Sequence, residues 1–426
     1  MSISPRQAVS DALFNIEKNG EYSTKAVLDT GKNFEPRDRA FVNEALLGVL
    51  RNKIYIDFII QSFSKLKLKK ISPYVLQILR TGTYQILFMD KIPVSAACNE
   101  AVKIAKKKAR NAKGFVNGIL RNIARNIDNL PKPEGEICQV MSVKYSCPLW
   151  LVEKIFNQFG REKCEEILSD SLKPHPTFIR ANSLKITADD LADRLTSENI
   201  IAEKTDVSQC LRIIGAIDVY GSELYKNGYY TLQNINSQRT ALVLEPKPNE
   251  TIIDVCSAPG GKTTHIAELM ENQGRVVAFD IHKHKISLIQ KTAERLGISC
   301  VEAICHNSEN TLDEYKESAD RVLADVPCSG IGVIHRKPDI KYNRCEEDII
   351  ALTQIQAKIL NSAAKYVKVG GTLVYSTCTI LREENEDIVS RFLEEHKDFE
   401  KNFENLYLAS DTEGSGFYIC RMVRKK

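Results

Sequence analysis

No apolar run in this 426-residue chain approaches the ~20 residues that a membrane-spanning helix needs, so a helical membrane protein is excluded and no membrane partner is expected. The twelve cysteines never occur as Cys-x-x-Cys, which speaks against a zinc ribbon, and no metal site is expected. The start, Met1-Ser2-Ile3-Ser4-Pro5-Arg6, has no signal-peptide pattern. A cytoplasmic location is therefore expected. A disulfide framework is not, and most cysteines should be small buried hydrophobes. Internal repeats and low-complexity segments are absent. What is present is ordinary globular material, 43% hydrophobic and 27% charged, long enough for about two or three domains.

Charge is unevenly spread. Residues 1–130 carry 22 Lys+Arg against 11 Asp+Glu, a net of +11, and the remainder carries 37 against 44, a net of −7. A basic module joined to a mildly acidic one fits an anchor for a polyanion, although a solvated lysine-rich surface gives the same balance. Residues 1–128 read as helices only, with Ala8, Leu13 and Ile16, then Phe41, Leu46, Leu47 and Leu50 at helical spacing. Val75, Ile78, Leu79, Tyr84, Ile86 and Leu87 continue the pattern and Ile119, Leu120 and Ile123 close it, while Pro36, Pro73 and Pro93 stand where first turns can begin. Lys106, Lys107, Lys108 and Arg110 fit a cationic face on this bundle, with phosphate contact as its expected use.

Leu130-Pro131-Lys132-Pro133-Glu134-Gly135 is a linker by composition. Residues 137–235 mix helices, at 149–159 and 188–198, with strand-like pieces around 177–180 and 211–214, a small α+β module. From about 236 the rhythm becomes strand, turn, helix, with strands read at 252–256, 275–280, 300–305, 321–326 and 371–376, and a final pair near 400–406 and 416–422. A helix carrying Leu352, Ile355, Ile359, Ala363 and Tyr366 is expected to end at Gly370-Gly371. Such alternation implies a doubly wound parallel sheet, in which ligands collect at the carboxyl ends of the strands.

Three segments should meet there. The first is Asp254-Val255-Cys256-Ser257-Ala258-Pro259-Gly260-Gly261-Lys262. A phosphate loop needs a glycine at 256, where Cys256 stands, so a nucleotide triphosphatase is disfavoured. The turn instead suits a cofactor approaching the backbone, with its carboxylate at a helix N-terminus and beside Lys262. Asp280 ends the next strand, placed to accept from the ribose hydroxyls of an adenosine cofactor. The turn is not Gly-x-Gly-x-x-Gly and no second nucleotide-binding half follows, which points away from NAD and to S-adenosylmethionine. The second segment, Asp325-Val326-Pro327-Cys328, and the third, Ser376-Thr377-Cys378, bring an aspartate and two thiols to neighbouring strand ends. A thiol is called for when the target carbon is not nucleophilic: cytosine C5 becomes so only after a thiolate adds to C6, with Asp325 assisting at N3 and N4.

Asp325-Val326-Pro327-Cys328-Ser329-Gly330, then Arg336-Lys337-Pro338-Asp339-Ile340-Lys341-Tyr342, then Tyr375-Ser376-Thr377-Cys378-Thr379, resembles the bacterial 16S rRNA cytosine-5 methyltransferases, the Fmu/Sun group, over essentially the whole chain. Residues 36–60 and 73–123 resemble the NusB-like RNA-binding domain of that group. The resemblance implies a NusB-like bundle at 1–130, a small α+β module at 137–235 and a Rossmann-like class I methyltransferase domain at 236–426. It makes Cys378 the nucleophile at C6 and Cys328 the residue that helps resolve the adduct. Cys256, Ser257, Ala258, Pro259, Gly260, Gly261, Lys262, Asp280, Asn307 and Asp325 bind the cofactor or lie beside it. Two positions depart from the family, Asn307 and Asn234 standing where Asp is usual, and both bear on cofactor affinity. The expected partner is 16S rRNA, free or partly assembled, and the expected state a monomer. A non-catalytic RNA-binding factor built on the bundle is the alternative of another class, and tRNA the alternative substrate.

Overall fold

The structure, a computed structural model, describes residues 3–32, 34–215 and 219–425, which form two compact units. One takes in the chain up to Lys173 and a later segment, Ile334–Cys345; the other comprises Pro174–Val333 and the chain from Glu346 onward.

In the first unit, α1 (Pro5–Asn19), α2 (Ser23–Gly31), α3 (Pro36–Arg51), α4 (Lys53–Phe63), α5 (Pro73–Phe88), α6 (Val94–Lys108) and α7 (Lys113–Arg125) make the expected all-α bundle. Proline opens α1, α3 and α5, where a helix has no use for the amide hydrogen, while Pro93 stands one residue earlier, as the N-cap of α6. Leu13, Ile16, Leu46, Leu50, Ile78, Leu79, Ile119, Leu120 and Ile123 close on one core. Lys106, Lys107, Lys108 and Arg110 are exposed at the end of α6 and just beyond it.

Two further helices, α8 (Ile137–Lys144) and α9 (Leu149–Asp170), fall in this unit, although the sequence places them with the small module. Ser146, between them, accepts from the Ile54 amide at the start of α4 at 2.8 Å. Gly160, at φ +77°, breaks α9 one residue after Phe159, where the sequence ends that helix. The returning segment 334–345 caps helix ends. Asp339 accepts from the Ser23 amide at 3.1 Å and from the Ser23 hydroxyl at the start of α2. Lys341 Nζ donates to the Arg51 carbonyl at 2.9 Å at the end of α3. An acid at an N-terminus and a cation at a C-terminus satisfy groups that a helix leaves open. The Arg336–Tyr342 motif thus serves the helical unit.

The second unit begins with the small module: β1 (Thr177–Ala181), α10 (Ala188–Ser197), β2 (Ile201–Lys204), β3 (Cys210–Ile214), the one-turn α11 (Glu223–Lys226) and β4 (Tyr230–Leu232). Its strands pair antiparallel in the order β2-β3-β1-β4. There follow α12 (Ile235–Leu244), β5 (Thr251–Asp254), α13 (Gly261–Leu269), β6 (Arg275–Asp280), α14 (Lys283–Leu296), β7 (Val301–Cys305) and β8 (Ala319–Asp325). The chain ends with α15 (Glu346–Ala364), β9 (Val367–Thr377), α16 (Glu386–Glu395), β10 (Phe399–Tyr407) and β11 (Phe417–Arg424). Among the described residues these strands form one sheet of seven in the order β10-β11-β9-β8-β5-β6-β7. The strands β9-β8-β5-β6-β7 are parallel, and β10 and β11 form an antiparallel edge. Ile252-Ile253, Val276–Phe279 and Val322–Ala324 are buried on both faces, as a parallel sheet covered by helices on each side requires.

Strand order runs outward from β5 in one direction and from β8 in the other, so the switch point lies between them. The expected helix end at Gly370-Gly371 is corrected: α15 stops at Ala364 and both glycines lie inside β9. Gly370 sits at φ +79°, and a Cβ on Gly371 would come within 2.9 Å of the Asp320 carbonyl, so the glycines permit an irregularity in the β8–β9 pairing. No helix among the described residues is long and apolar enough to cross a membrane.

Candidate active site

At the carboxyl end of β5 the chain passes from Asp254 through Cys256 and Ser257 into α13. Ser257 fastens the turn to β6, its amide and hydroxyl both donating to the Phe279 carbonyl, at 2.9 and 2.8 Å. Gly260 adopts φ +101°, and a Cβ there would stand 3.3 Å from Ile289 Cα, so only glycine enters α13 this way. A Cβ on Gly261 would meet open space. Asp254 is fully buried, its carboxylate accepting from Thr263 Oγ1 at 2.7 Å, and burial pushes it up to about 7. Burial, then the carboxylates of Asp254, Asp325 and Asp280, push the Cys256 thiol well above its ordinary range.

Asp280 ends β6 nearly buried, with one oxygen accepting from the His282 amide at 2.9 Å. Its other oxygen has no hydrogen-bond partner among the described residues, as a ribose acceptor requires. Asn307 follows β7 and accepts from the Glu309 amide at 3.1 Å. Asn234 caps α12. Its side-chain oxygen takes the amides of Asn236 and Ser415 at 3.0 and 3.3 Å, and its NH2 donates to Ser415 Oγ at 3.1 Å. The open space at Gly261 and the Asp280 oxygen fit an adenosyl cofactor.

Lys262 pairs with Asp325: Nζ lies 2.6 Å from Oδ2, and 5.0 Å from the Phe417 ring centroid. The second Asp325 oxygen accepts from Ser376 Oγ at 2.8 Å, across the β8–β9 register. One turn beyond each of these strands stand the thiols, with Cys328 Sγ 3.0 Å from Cys378 Sγ and 3.3 Å from the Cys378 amide. The hydrogen bond with Cys378, then burial, pushes the Cys328 thiol well up, with the Glu384 charge adding to it. The two turns are also joined by backbone, Gly332 N donating to the Cys378 carbonyl at 3.0 Å. A Cβ on Gly332 would come within 2.7 Å of that carbonyl and 2.2 Å of the Gly416 carbonyl.

Elsewhere, five of the twelve cysteines are buried, and Cys305 and Cys345 are exposed, which corrects the expectation that most would be buried. Sequence reasoning missed Gln356, Glu384 and Asn385 around the thiols and Arg180 behind the turn that enters α13. Glu383-Glu384-Asn385-Glu386 reads as an acidic helix start. Only its nearness to Cys378 signalled more.

Three family models match the chain: the 16S rRNA methyltransferase RsmB/F model over residues 241–416, the NusB family over 3–125, and the ferredoxin-like domain of RsmF/B-like methyltransferases over 147–220. The chain is 37% identical over 447 residues to the probable ribosomal RNA small subunit methyltransferase B of Bacillus subtilis (strain 168), with 99% of each chain covered. It is 33% identical over 427 residues to ribosomal RNA small subunit methyltransferase B of Proteus mirabilis (strain HI4320), covering 99% of this chain and 98% of that one. The crystal structure of PH0851 matches at a TM-score of 0.82 and 26% identity over the whole of both chains. That of a methyltransferase homolog protein from Pyrococcus horikoshii matches at 0.61 and 26% identity, over 68% of this chain and all of that one. With identity of this order along its whole length, and the helical, ferredoxin-like and methyltransferase parts each matched in turn, the chain belongs to the ribosomal RNA small subunit methyltransferase B (Fmu/Sun) family.

Proposed function

We propose that this chain methylates C5 of a cytosine in 16S rRNA, in the cytoplasm and as a monomer, through a covalent bond from Cys378 to C6. The observation that carries the reading is the pair of thiols 3.0 Å apart at neighbouring strand ends, beside an Asp325 already paired with Lys262. Cys378, as thiolate, adds to C6; the S–C6 bond forms and the C5=C6 pair shifts to C5 and toward N3 and N4. The Lys262–Asp325 pair supplies the proton or hydrogen bond that this shift needs. S-adenosylmethionine, when bound, supplies an electrophilic methyl group for C5. The turn from Cys256 to Lys262, Asp280 and Asn307 would hold it, with Asp325 alongside. Release then breaks the C5–H bond, its proton passing to water; the electron pair restores C5=C6 and the C6–S pair returns to Cys378. Cys328, kept protonated, donates a hydrogen bond to the departing sulfur. Bisulfite mapping of rRNA and tRNA from cells lacking the protein tests the substrate: one 16S rRNA cytosine should lose its modification. Loss at a tRNA position instead would overturn the assignment.

The cofactor assignment has its own test. Asp280→Ala should weaken S-adenosylmethionine binding by roughly 1–3 kcal/mol, the scale for losing a charged hydrogen-bond acceptor. Calorimetry reporting unchanged affinity would remove Asp280 from the site, and tight ATP binding without S-adenosylmethionine binding would restore a phosphate loop. For the helical unit, neutralising Lys106, Lys107, Lys108 and Arg110 should weaken RNA binding and flatten its salt dependence, because fewer counterions are released. An unchanged slope of log affinity against log salt would make the patch a solvated surface only.

A further inference from the structure

Two adjacent side chains that no step above uses each grip one of the two thiol turns, which also meet where the Ser329 and Thr379 hydroxyls lie 3.0 Å apart. Glu384 is fully buried. Its Oε1 accepts from the Ser329 amide at 2.8 Å and from Gln356 Nε2 at 2.9 Å, and its Oε2 accepts from the Ser329 hydroxyl at 2.5 Å. Gln356 Nε2 also donates to the Pro327 carbonyl at 3.0 Å. Both neighbours of Cys328 are thus tied, directly or through one amide, to a single carboxylate. Asn385, also fully buried, does the same for the other thiol: Thr377 Oγ1 donates to its Oδ1 at 2.6 Å, and its Nδ2 donates to the Thr379 carbonyl at 3.2 Å. The pair is itself anchored, since the Tyr375 hydroxyl donates to the Glu384 carbonyl at 2.7 Å. Burying a carboxylate and an amide is costly unless every bond is made. Here those bonds converge on the residues before and after each cysteine.

We propose that Glu384 and Asn385 are positioning residues with divided duties, Glu384 fixing Cys328 for release of the methylated RNA and Asn385 fixing Cys378 for attack. The inference rests on the two-thiol reading proposed above. A leucine side chain at 384 accepts nothing, so the Ser329 amide and Gln356 Nε2 lose that acceptor and the Ser329 hydroxyl keeps Thr379 Oγ1. The Cys328 turn then loosens while the Cys378 turn keeps its bonds to Asn385. A displacement near 1 Å at a reacting group costs on the order of 10²-fold in rate.

The test uses the full chain, S-adenosylmethionine and a 16S rRNA transcript, made once with cytosine and once with 5-fluorocytosine, from which the C5 substituent cannot leave. Glu384→Leu should trap 5-fluorocytosine RNA at a rate within about threefold of the parent, yet remain attached to cytosine RNA on denaturing gels, with release slowed on the order of 10–100-fold. Asn385→Ser should slow trapping itself by a similar factor and leave no lingering adduct. Milder variants keep the test open if either fails to fold: Gln356→Leu, which removes the tie to the Pro327 carbonyl, should follow Glu384→Leu, and Thr377→Val should follow Asn385→Ser. A merely structural role predicts that attack and release fall together, in step with thermal stability. That outcome, or parental rates in all four variants, would overturn the inference alone. Failure of the parent to trap 5-fluorocytosine RNA would overturn the covalent reading and this inference with it.

Discussion

Replacing Cys378 by alanine is expected to abolish both methyl transfer and the covalent RNA adduct, whereas Cys328→Ala is expected to leave the enzyme bound to its methylated product. The argument begins with ionisation. A cysteine near its ordinary pKa of ~8.5 is mostly thiol at neutral pH, and only the thiolate attacks. In this site the hydrogen bond with Cys378, burial and the Glu384 charge all disfavour a charge on Cys328. In the proposed mechanism Cys328 keeps its proton and, at 3.0 Å, shares it with Cys378. Without Cys378 no sulfur remains that the site prepares for attack, and turnover should fall on the order of 10⁴-fold or more, as when a nucleophile is removed elsewhere. Without Cys328 attack still proceeds, but the departing sulfur loses its hydrogen-bond donor and the adduct accumulates. Denaturing gel electrophoresis of each variant with labelled RNA and S-adenosylmethionine reads this directly. A stable adduct with Cys378→Ala and none with Cys328→Ala would reverse the roles.

Much of this site was legible because its chemistry sits on local signals. The apolar runs before Asp254, Asp280, Asp325 and Thr377 mark strands, and the residues after them mark the crevice. What could not be read depends on distant partners. Lys262 follows a glycine turn and was expected beside a cofactor carboxylate; that it pairs with Asp325, 63 residues on, is set by the β5–β8 neighbourhood. Asp339 and Lys341 lie just downstream of Cys328, yet they cap helices near the other end of the chain. Gly370-Gly371 looks like a helix terminator because periodicity records where apolar residues fall, whereas a close backbone approach leaves no trace beyond the glycine itself. Glu384 and Asn385 resemble the acidic, polar start of any helix, and their burial comes only from the packing of α15 and the two thiol turns around them.

Arg180 shows the same dependence with the largest expected effect on stability. It lies on β1 of the small module, fully buried, and donates to both Glu268 oxygens on α13, at 2.9 and 2.7 Å. It also donates to Gln233 Oε1, to Thr264 Oγ1 at 3.1 Å and to the Gly261 carbonyl at 2.8 Å, in the first turn of α13. Burial raises the Glu268 carboxyl while Arg180 opposes that rise. Arg180→Ala removes the opposition and leaves a carboxylate without a cation in a dry site, so a loss of about 3–5 kcal/mol is expected at pH 7. The pH dependence follows in sign. A carboxyl whose folded-state pKa lies above its unfolded value binds a proton more readily when folded, so the deficit of the variant should shrink as pH falls and widen as it rises. Arg180→Met with Glu268→Leu should recover at least half of the loss, since apolar residues of similar volume replace a buried ion pair at little cost. Urea unfolding of the three variants at several pH values measures all of this. A single-variant loss below about 1 kcal/mol would mean that water reaches Glu268. A double variant no better than the single one would instead place the energy in the bonds to Gln233, Thr264 and Gly261, and make Arg180 a clamp on the cofactor turn more than a partner for Glu268.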